Sequence, residues 1–546
     1  MNERYTSTEP LDLNRRMMVQ SSAKRTRLVT ICHSRAISCL ILIAVTQNHR
    51  RLDPSTPADS KLEVIPHNPT QAPAWMRRYD ILLDWIHDRG SLIVSALAVF
   101  VVSATTALGV RPISDPSPWL HLRIGQYLLA GGRFGSPDPW APFATRQYVP
   151  TEWLPAIVGY LTYDHFGAPG IAWLRSAGIL ALLTALVWTT RRAAGAIAAI
   201  VASFVALLGA HDGLTERPQL ISLVFLVVTL GAWWRTTEDL RPRWWLVPVT
   251  WVWACSHGLW LVGIGVGALI ACGLASDNRI GRRQLRKLLL VPLASLGAVA
   301  LTPIGPKLLL APFTVGSNAR DFVGEWQPST IHQPVTVIAL LMIGFVLIAW
   351  ARSARRPHWW QVGLLVTSLV FAFAMARTVA VAAVLVAPLL AQELQNLFTI
   401  RVPRPSRRAQ LSWVGLIVAA LVISAPLAGA VAQNPQGVPA HLAAQLRQIP
   451  SGTRVVATGD VTGWLLWSAP DLKPVEDIRI EVYSPSYVRR YIEAMAAGPA
   501  WRGFIQDTGA TVALLESESP LATALRERAG WRSVGSDDGY VMLRRP

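Results

Sequence analysis

Charge is scarce in this sequence: only 15% of its 546 residues are Asp, Glu, Lys or Arg. Soluble domains carry about 25%, so the deficit, together with a positive mean hydropathy, excludes a soluble enzyme with a hydrophobic tail. It points instead to a chain that crosses a membrane many times. Cysteine is rare too. Cys32, Cys39, Cys255 and Cys272 are the four, and none falls in a segment expected outside the membrane, which argues against a disulfide framework. No Cys/His spacing suits zinc, and no metal site is expected. Acids are outnumbered, 33 against 51 Lys and Arg, giving a formal charge of +18. In a soluble protein that excess would suggest nucleic acid. Here the Arg residues sit in short turns between apolar runs, the distribution that membrane topology sets, so nucleic-acid binding is set aside. An inverted repeat is lacking, and the apolar runs are nearly free of acids and bases, which leaves a transporter without a charged route.

What the chain has in quantity is long apolar runs. Residues 91–110, 168–190, 194–210, 219–234, 244–256, 259–274, 288–302, 335–350, 359–375, 379–395 and 411–431 read as about eleven membrane helices. The turns expected in the cytoplasm are basic: Arg191 and Arg192; Arg235, Arg241 and Arg243; Arg279, Arg282, Arg283, Arg286 and Lys287; Arg352, Arg355 and Arg356; Arg401, Arg404, Arg407 and Arg408. The opposite turns are short or mixed, so the positive-inside rule predicts a cytoplasmic N-terminus and an extracytoplasmic C-terminus in the cell membrane. This parity requires 244–256 and 259–274 to be separate helices.

Residues 1–75 are polar, Arg-rich and interrupted by Pro, with one apolar run, 36–45, too short to span. They are expected to be disordered and cytoplasmic, with Met76 a plausible true start and a short interfacial helix at 75–85. The membrane domain is expected over 76–432, with a large first outer loop at 111–167. From 433 to 546 strand-length apolar runs at 453–458, 511–515 and 540–543 alternate with helical stretches at 484–497 and 521–530, which predicts an extracytoplasmic α/β domain. It carries no phosphate-binding Gly loop and no nucleophile motif.

Ionisable residues near a bilayer are costly and usually mark a site or a pathway. In this topology they collect on the outer side: Asp115, His121, Arg123, Asp138, Glu152, His211, Asp212, Glu216, Arg217, His257, Lys307, Arg320, Asp321, Glu325 and Arg377. Arg377 lies in a minimal turn between two apolar helices, where a planar guanidinium suits a lipid phosphate. Snorkelling, or pairing with a loop acid, is the plainer alternative. For Arg217 the plainer alternative is pairing with Glu216 or capping of the next helix, and for Asp115 it is capping of a helix beginning at Pro116.

Several of these residues lie in motifs. Asp115 is followed by W-x-H-L-R-x-G-Q-x-L-L-x-G-G at 119–132, a Pro-Asp-Pro turn at 137–139 and E-W-L at 152–154; E-R-P-Q at 216–219, W-A-C-S-H-G at 253–258, L-T-P-I-G at 301–305 and G-E-W-Q-P at 324–328 follow, with G-W-L-L-W-S-A-P at 463–470 and E-D-I-R-I-E-V-Y at 476–483 in the last domain. From about Asp115 to the end, the chain resembles bacterial polytopic proteins of the GT-C glycosyltransferase superfamily, mannosyltransferase-like enzymes that use polyprenyl-phosphate sugars. Where that group has a second acid and two Asn, this chain has Ser117, Cys255 and Thr302.

The resemblance implies a multi-pass GT-C-like enzyme that moves a sugar from a polyprenyl-phosphate donor to an acceptor on the outer face of the membrane. Asp115 is its implied catalytic base. His121, Arg123, Glu152, Arg217, His257 and Arg377 are the expected substrate-binding residues, with the two Arg on the lipid phosphate. The resemblance leaves cofactor, donor sugar and acceptor open. The alternative is a non-catalytic membrane protein that binds a glycolipid or an envelope-assembly partner.

Overall fold

The computed structural model describes residues 90–398, 407–433 and 435–546, with the side chains of 314–321 and 398 left aside. The expectations for residues 1–75, the helix at 75–85, Cys32, Cys39, Arg401 and Arg404 lie outside the described residues. Helices occupy all eleven of the apolar runs: α1 (Gly90–Gly109), α3 (Trp153–Ala193), α4 (Ala196–Gly209), α5 (Gln219–Asp239), α6 (Leu246–Ala254), α7 (Trp260–Ser276), α8 (Arg282–Ala300), α10 (Pro334–Arg352), α11 (Trp359–Ala374), α12 (Val379–Phe398) and α13 (Arg407–Val431). Two more, α2 (Ser117–Leu129) and α9 (Lys307–Phe322), lie in the connections. Among the described residues six helical segments are long and apolar enough to cross a membrane: α1, α3, α5, α10, Ala376–Leu397 and α13. This is a helical membrane protein. The segment Ala376–Leu397 is 83% buried and α13 only 17%, so α12 runs through the middle of the bundle while α13 turns Leu411, Val414, Val418, Val422 and Ile423 to lipid.

Helix α6 has nine residues, a rise of about 14 Å and roughly half the hydrocarbon thickness. It is nonetheless separate from α7, with the turn at Ser256–Leu259 between them. The expected outer loop 111–167 is partly helical. It contains all of α2 and the first part of α3, which breaks at Gly167 (φ 63°, ψ −158°), a backbone conformation that only glycine adopts readily. Before the break, α3 packs Ala156 and Tyr160 against the outer-loop and C-terminal side chains; after it, Ile179, Leu182 and Leu186 enter the bundle core.

The helix ends gather in two polar layers. In one, Gly195 N–H donates to Gln395 Oε1 (2.8 Å), Trp350 Nε1 to Glu393 Oε1 (3.0 Å), Arg279 to the Thr237 carbonyl (2.7 Å) and Trp359 N–H to Asp277 Oδ1 (3.1 Å). The Arg-rich turns lie here. The other layer holds the candidate site.

Residues 435–546 open with a short helix, α14 (Ala443–Arg447), and form a five-stranded sheet of order β2-β1-β3-β5-β4: β1 (Arg454–Ala457), β2 (Lys473–Pro474), β3 (Val512–Glu516), β4 (Arg532–Asp537) and β5 (Tyr540–Arg544). The first three are parallel, and β5 and β4 antiparallel. Period-two alternation along the inner strands turns Val455, Ala457, Val512 and Leu514 toward α15 (Gly459–Ser468) and the outer loop, and Val456, Ala513 and Leu515 toward α16 (Pro485–Met495), α17 (Trp501–Thr508) and α18 (Pro520–Ala529). Strand β4 is an exposed edge without an apolar run, which is why the sequence reading passed over it. At Gly463 a Cβ would lie 3.1 Å from the Pro116 carbonyl oxygen, so this glycine lets α15 seat directly on α2.

A two-chambered candidate active site

The loop and the C-terminal domain are joined by one buried cation. Arg479, 2% exposed, donates to Asp138 (3.0 and 3.1 Å) and Asp477 (2.7 and 3.0 Å) and lies within 6 Å of the rings of Phe134, Trp140 and Tyr148. A guanidinium supplies the donors for two carboxylates and a face for aromatic stacking, so burial leaves no charge unpaired. A second buried pair, Arg175 with Glu216, braces the start of the loop, the same guanidinium donating to the Gly109 and Pro112 carbonyls (2.9 and 3.2 Å). These two braces fix the segments that carry the site.

Between them runs a chain of charges. Asp115 Oδ2 accepts from Arg217 Nε (2.7 Å), Arg217 Nη1 donates to both oxygens of Glu325 (2.6 and 2.8 Å), and Arg377 Nη1 lies 3.9 Å from Glu325. Arg377 also covers the Trp326 ring at 4.8 Å, and its carbonyl accepts from Gln219 Nε2 (2.9 Å).

A second group centres on Glu152. Its Oε2 lies 3.3 Å from His121 Nε2 and its Oε1 lies 3.5 Å from His257 Nε2. The Leu259 N–H donates to His257 Nδ1 (3.3 Å), so that nitrogen carries no proton and Nε2 presents its N–H to Glu152. Ser222 Oγ, itself accepting from Trp253 Nε1 (2.7 Å), completes the support of His257 at 2.9 Å. Burial pulls His121 down to about 4, opposed by Asp115 and aided by Arg217. Burial likewise pulls His257 down to about 3, with Arg377 and His121 adding to it. Both imidazoles are therefore neutral near pH 7. Burial pushes the Glu152 carboxyl up to about 7, opposed by Arg377 and Arg217 and aided by Glu481.

Two cavities meet at these groups. The polar one, about 210 Å³, is lined by His121, Glu152, Arg217, Glu325, Arg377 and, from the C-terminal domain, Glu481. The other, about 280 Å³, is mostly apolar, with Leu259, Trp260, Leu308, Phe371 and Met375 among its walls. Thr151, Glu152, Gln219, His257, Trp326 and Arg377 line both. The chemistry of such a site suits a ligand with a charged head and an apolar tail.

No protein-family model and no curated relative matches the sequence. Among solved structures, the apo oligosaccharyltransferase of Archaeoglobus fulgidus superposes with a TM-score of 0.54 at 13% identity, over 80% of this chain and 70% of that one. AglB from the same archaeon, solved with an inhibitory peptide and a dolichol-phosphate, gives 0.54 at 12% identity over the same shares. The chain shares the fold of these oligosaccharyltransferases.

On this scaffold His121, Glu152, Arg217, His257 and Arg377 converge on the two cavities, although the sequence spreads them over five segments. Arg123 does not. Its Nη1 donates to Gln126 (2.7 Å) and its guanidinium covers Trp140 at 5.5 Å, because two positions along a helix from His121 it points to the opposite side. Asp115 is 9% exposed and stands beside the polar cavity rather than in its lining: Oδ1 accepts the N–H of Ser117, the first residue of α2, as a helix cap does (2.9 Å), and Oδ2 accepts from Arg217, which lines the cavity. Glu216 pairs with Arg175 rather than Arg217. The sequence reading missed Gln219, Ser222, Trp326 and Glu481 as site residues, although three of its motifs, E-R-P-Q, G-E-W-Q-P and E-D-I-R-I-E-V-Y, hold Gln219, Trp326 and Glu481.

Proposed function

We propose that the protein transfers a sugar from a polyprenyl-phosphate donor to an acceptor at the outer face of the cell membrane. The observation that carries this reading is the seam between the chambers, where Arg217 and Arg377 flank a polar cavity that opens onto an apolar one. The phosphate would replace Glu325 between the two guanidiniums, and the first isoprene units would lie against Leu259, Leu308, Phe371 and Met375. Fixed positive charge at that point stabilises the negative charge that builds on the departing phosphate. Asp115, on the far side of Arg217, orients that guanidinium. AglB, solved with a dolichol-phosphate, shares the fold, and a polyprenyl phosphate matches the chemistry of both chambers.

In the proposed topology the basic turns face the cytoplasm, and the site and residues 435–546 lie outside. The reading is tested by comparing lipid-linked sugars and envelope glycans in cells with the protein, without it, and with the Arg377→Ala variant. The expected result is one glycan lost, and one polyprenyl-phosphate sugar accumulated, in the last two strains alike. Unchanged glycans in both would overturn it.

A further inference from the structure

We infer that the polar chamber accepts a donor sugar only if that sugar bears no acid group, and that Glu481, supplied by the C-terminal domain, is the residue that enforces this. The inference rests on the polyprenyl-phosphate reading above and names the class of sugar that the same site takes.

The wall of the polar cavity is divided by charge. Arg217 and Arg377 line it where the phosphate binds in that reading. The sugar is bonded directly to the phosphate, so it lies against the rest of the wall. The third guanidinium of the lining, Arg479, is engaged by Asp138 and Asp477, and His121 and His257 are neutral near pH 7. No positive charge is therefore left for a carboxylate, a sulfate or a second phosphate on the sugar. Three carboxyl groups, on Glu152, Glu325 and Glu481, line the same cavity. Glu152 has His121 and His257 beside its oxygens, and Glu325 is bonded to Arg217. Among the described residues Glu481 forms no ion pair, which leaves its carboxyl for a ligand.

Glu481 is held in place by its neighbours. It sits in the turn Ile480–Val482, where the Val482 carbonyl accepts from the N–H groups of Thr145 and Arg146 (2.9 and 3.0 Å). Two residues earlier Arg479 is locked to Asp138 (3.0 Å) and Asp477 (2.7 Å), and Ile478 and Ile480 pack against the cluster of Leu120, Ile124 and Tyr148. A carboxyl fixed in this way does two things at once. It accepts hydrogen bonds from the hydroxyls of an uncharged sugar. It also repels an acid group, which it meets in a partly desolvated cavity where screening is weak.

The test uses the full chain in lipid nanodiscs, with undecaprenyl phosphate as a first probe and the same lipid carrying glucose or glucuronic acid as the others. The two sugars differ only by a hydroxymethyl in place of a carboxylate. Binding is measured at about pH 8, above the value of about 7 to which burial pushes Glu481 and Glu152, so that both are ionised. The wild-type protein should bind the glucose lipid about tenfold more tightly than the glucuronate lipid, or better. Glu481→Gln keeps a hydrogen-bonding group, removes the charge and should lower that ratio by about fivefold. The ratio is the readout because loss of one negative charge favours any anionic lipid, and both probes carry the same phosphate. Glu325→Gln removes a charge on the phosphate side and should tighten both lipids alike. A wild-type ratio near unity, a ratio unchanged in Glu481→Gln, or one lowered as far by Glu325→Gln would overturn the inference. If Glu481→Gln folds poorly, mass spectrometry of the lipid-linked sugar that accumulates in cells lacking the protein decides. It should find a sugar without an acid group, and an acidic sugar would overturn the inference. Failure of the wild-type protein to bind undecaprenyl phosphate at all would instead count against the polyprenyl-phosphate reading.

Discussion

Glu325 occupies the place a phosphate would take, its two oxygens within 2.8 Å of Arg217 and one of them 3.9 Å from Arg377. A ligand must displace it, so Glu325→Gln should tighten binding of undecaprenyl phosphate, by up to about fivefold if one partly exposed charged contact worth about 1 kcal/mol is relieved. Isothermal titration of the two proteins checks this, and equal affinities would show that the carboxylate does not compete. Asp115→Asn keeps the contact with the Ser117 N–H and weakens the hold on Arg217. It should therefore weaken phosphate binding by several-fold, read by the same titration, and an unchanged affinity would show that Asp115 does not orient Arg217. The site was legible in the sequence to the extent that ionisable residues are dear in a membrane protein and therefore conspicuous. What could not be read was their direction. Arg123 lies in the same short motif as His121 yet faces the opposite way, and Asp115 looks free in the sequence because the Arg217 that engages it is 102 positions away.

Apolar runs placed the helices well because hydropathy and helix length are local properties. The break in α3 was not legible: nothing local distinguishes Gly167 from the other glycines of the chain, and its conformation is set by two packings, loop before and bundle after. Gly167→Ala, with φ 63° and ψ −158°, should cost about 1–3 kcal/mol. A thermal unfolding midpoint unchanged from the wild type would show that the two halves of α3 can straighten. In the C-terminal sheet the buried strands β1, β3 and β5 show as apolar runs, whereas edge strand β4 has an exposed side-chain pattern and is held by pairing to β5. Such a strand is invisible to periodicity because its partner, not its own burial, defines it.

Across the whole molecule the polar groups are segregated: Arg-rich turns at one layer of helix ends, the site and the α/β domain at the other. Arg479 couples that domain to the outer loop, and its removal leaves Asp138 and Asp477 buried without a counter-charge. Arg479→Met should cost about 3–5 kcal/mol and expose the 433–546 region to limited proteolysis; an unchanged digestion pattern would mean the domain docks without it. The proposed activity requires the paired guanidiniums to receive a lipid phosphate. The most direct measurement is the dissociation constant of undecaprenyl phosphate for the purified full chain, compared with that of the Arg217→Ala, Arg377→Ala double variant. Each lost charge-assisted contact is worth about 1.5–3 kcal/mol, so the double variant should bind at least about a hundredfold more weakly. Equal affinity in the two proteins would contradict the account.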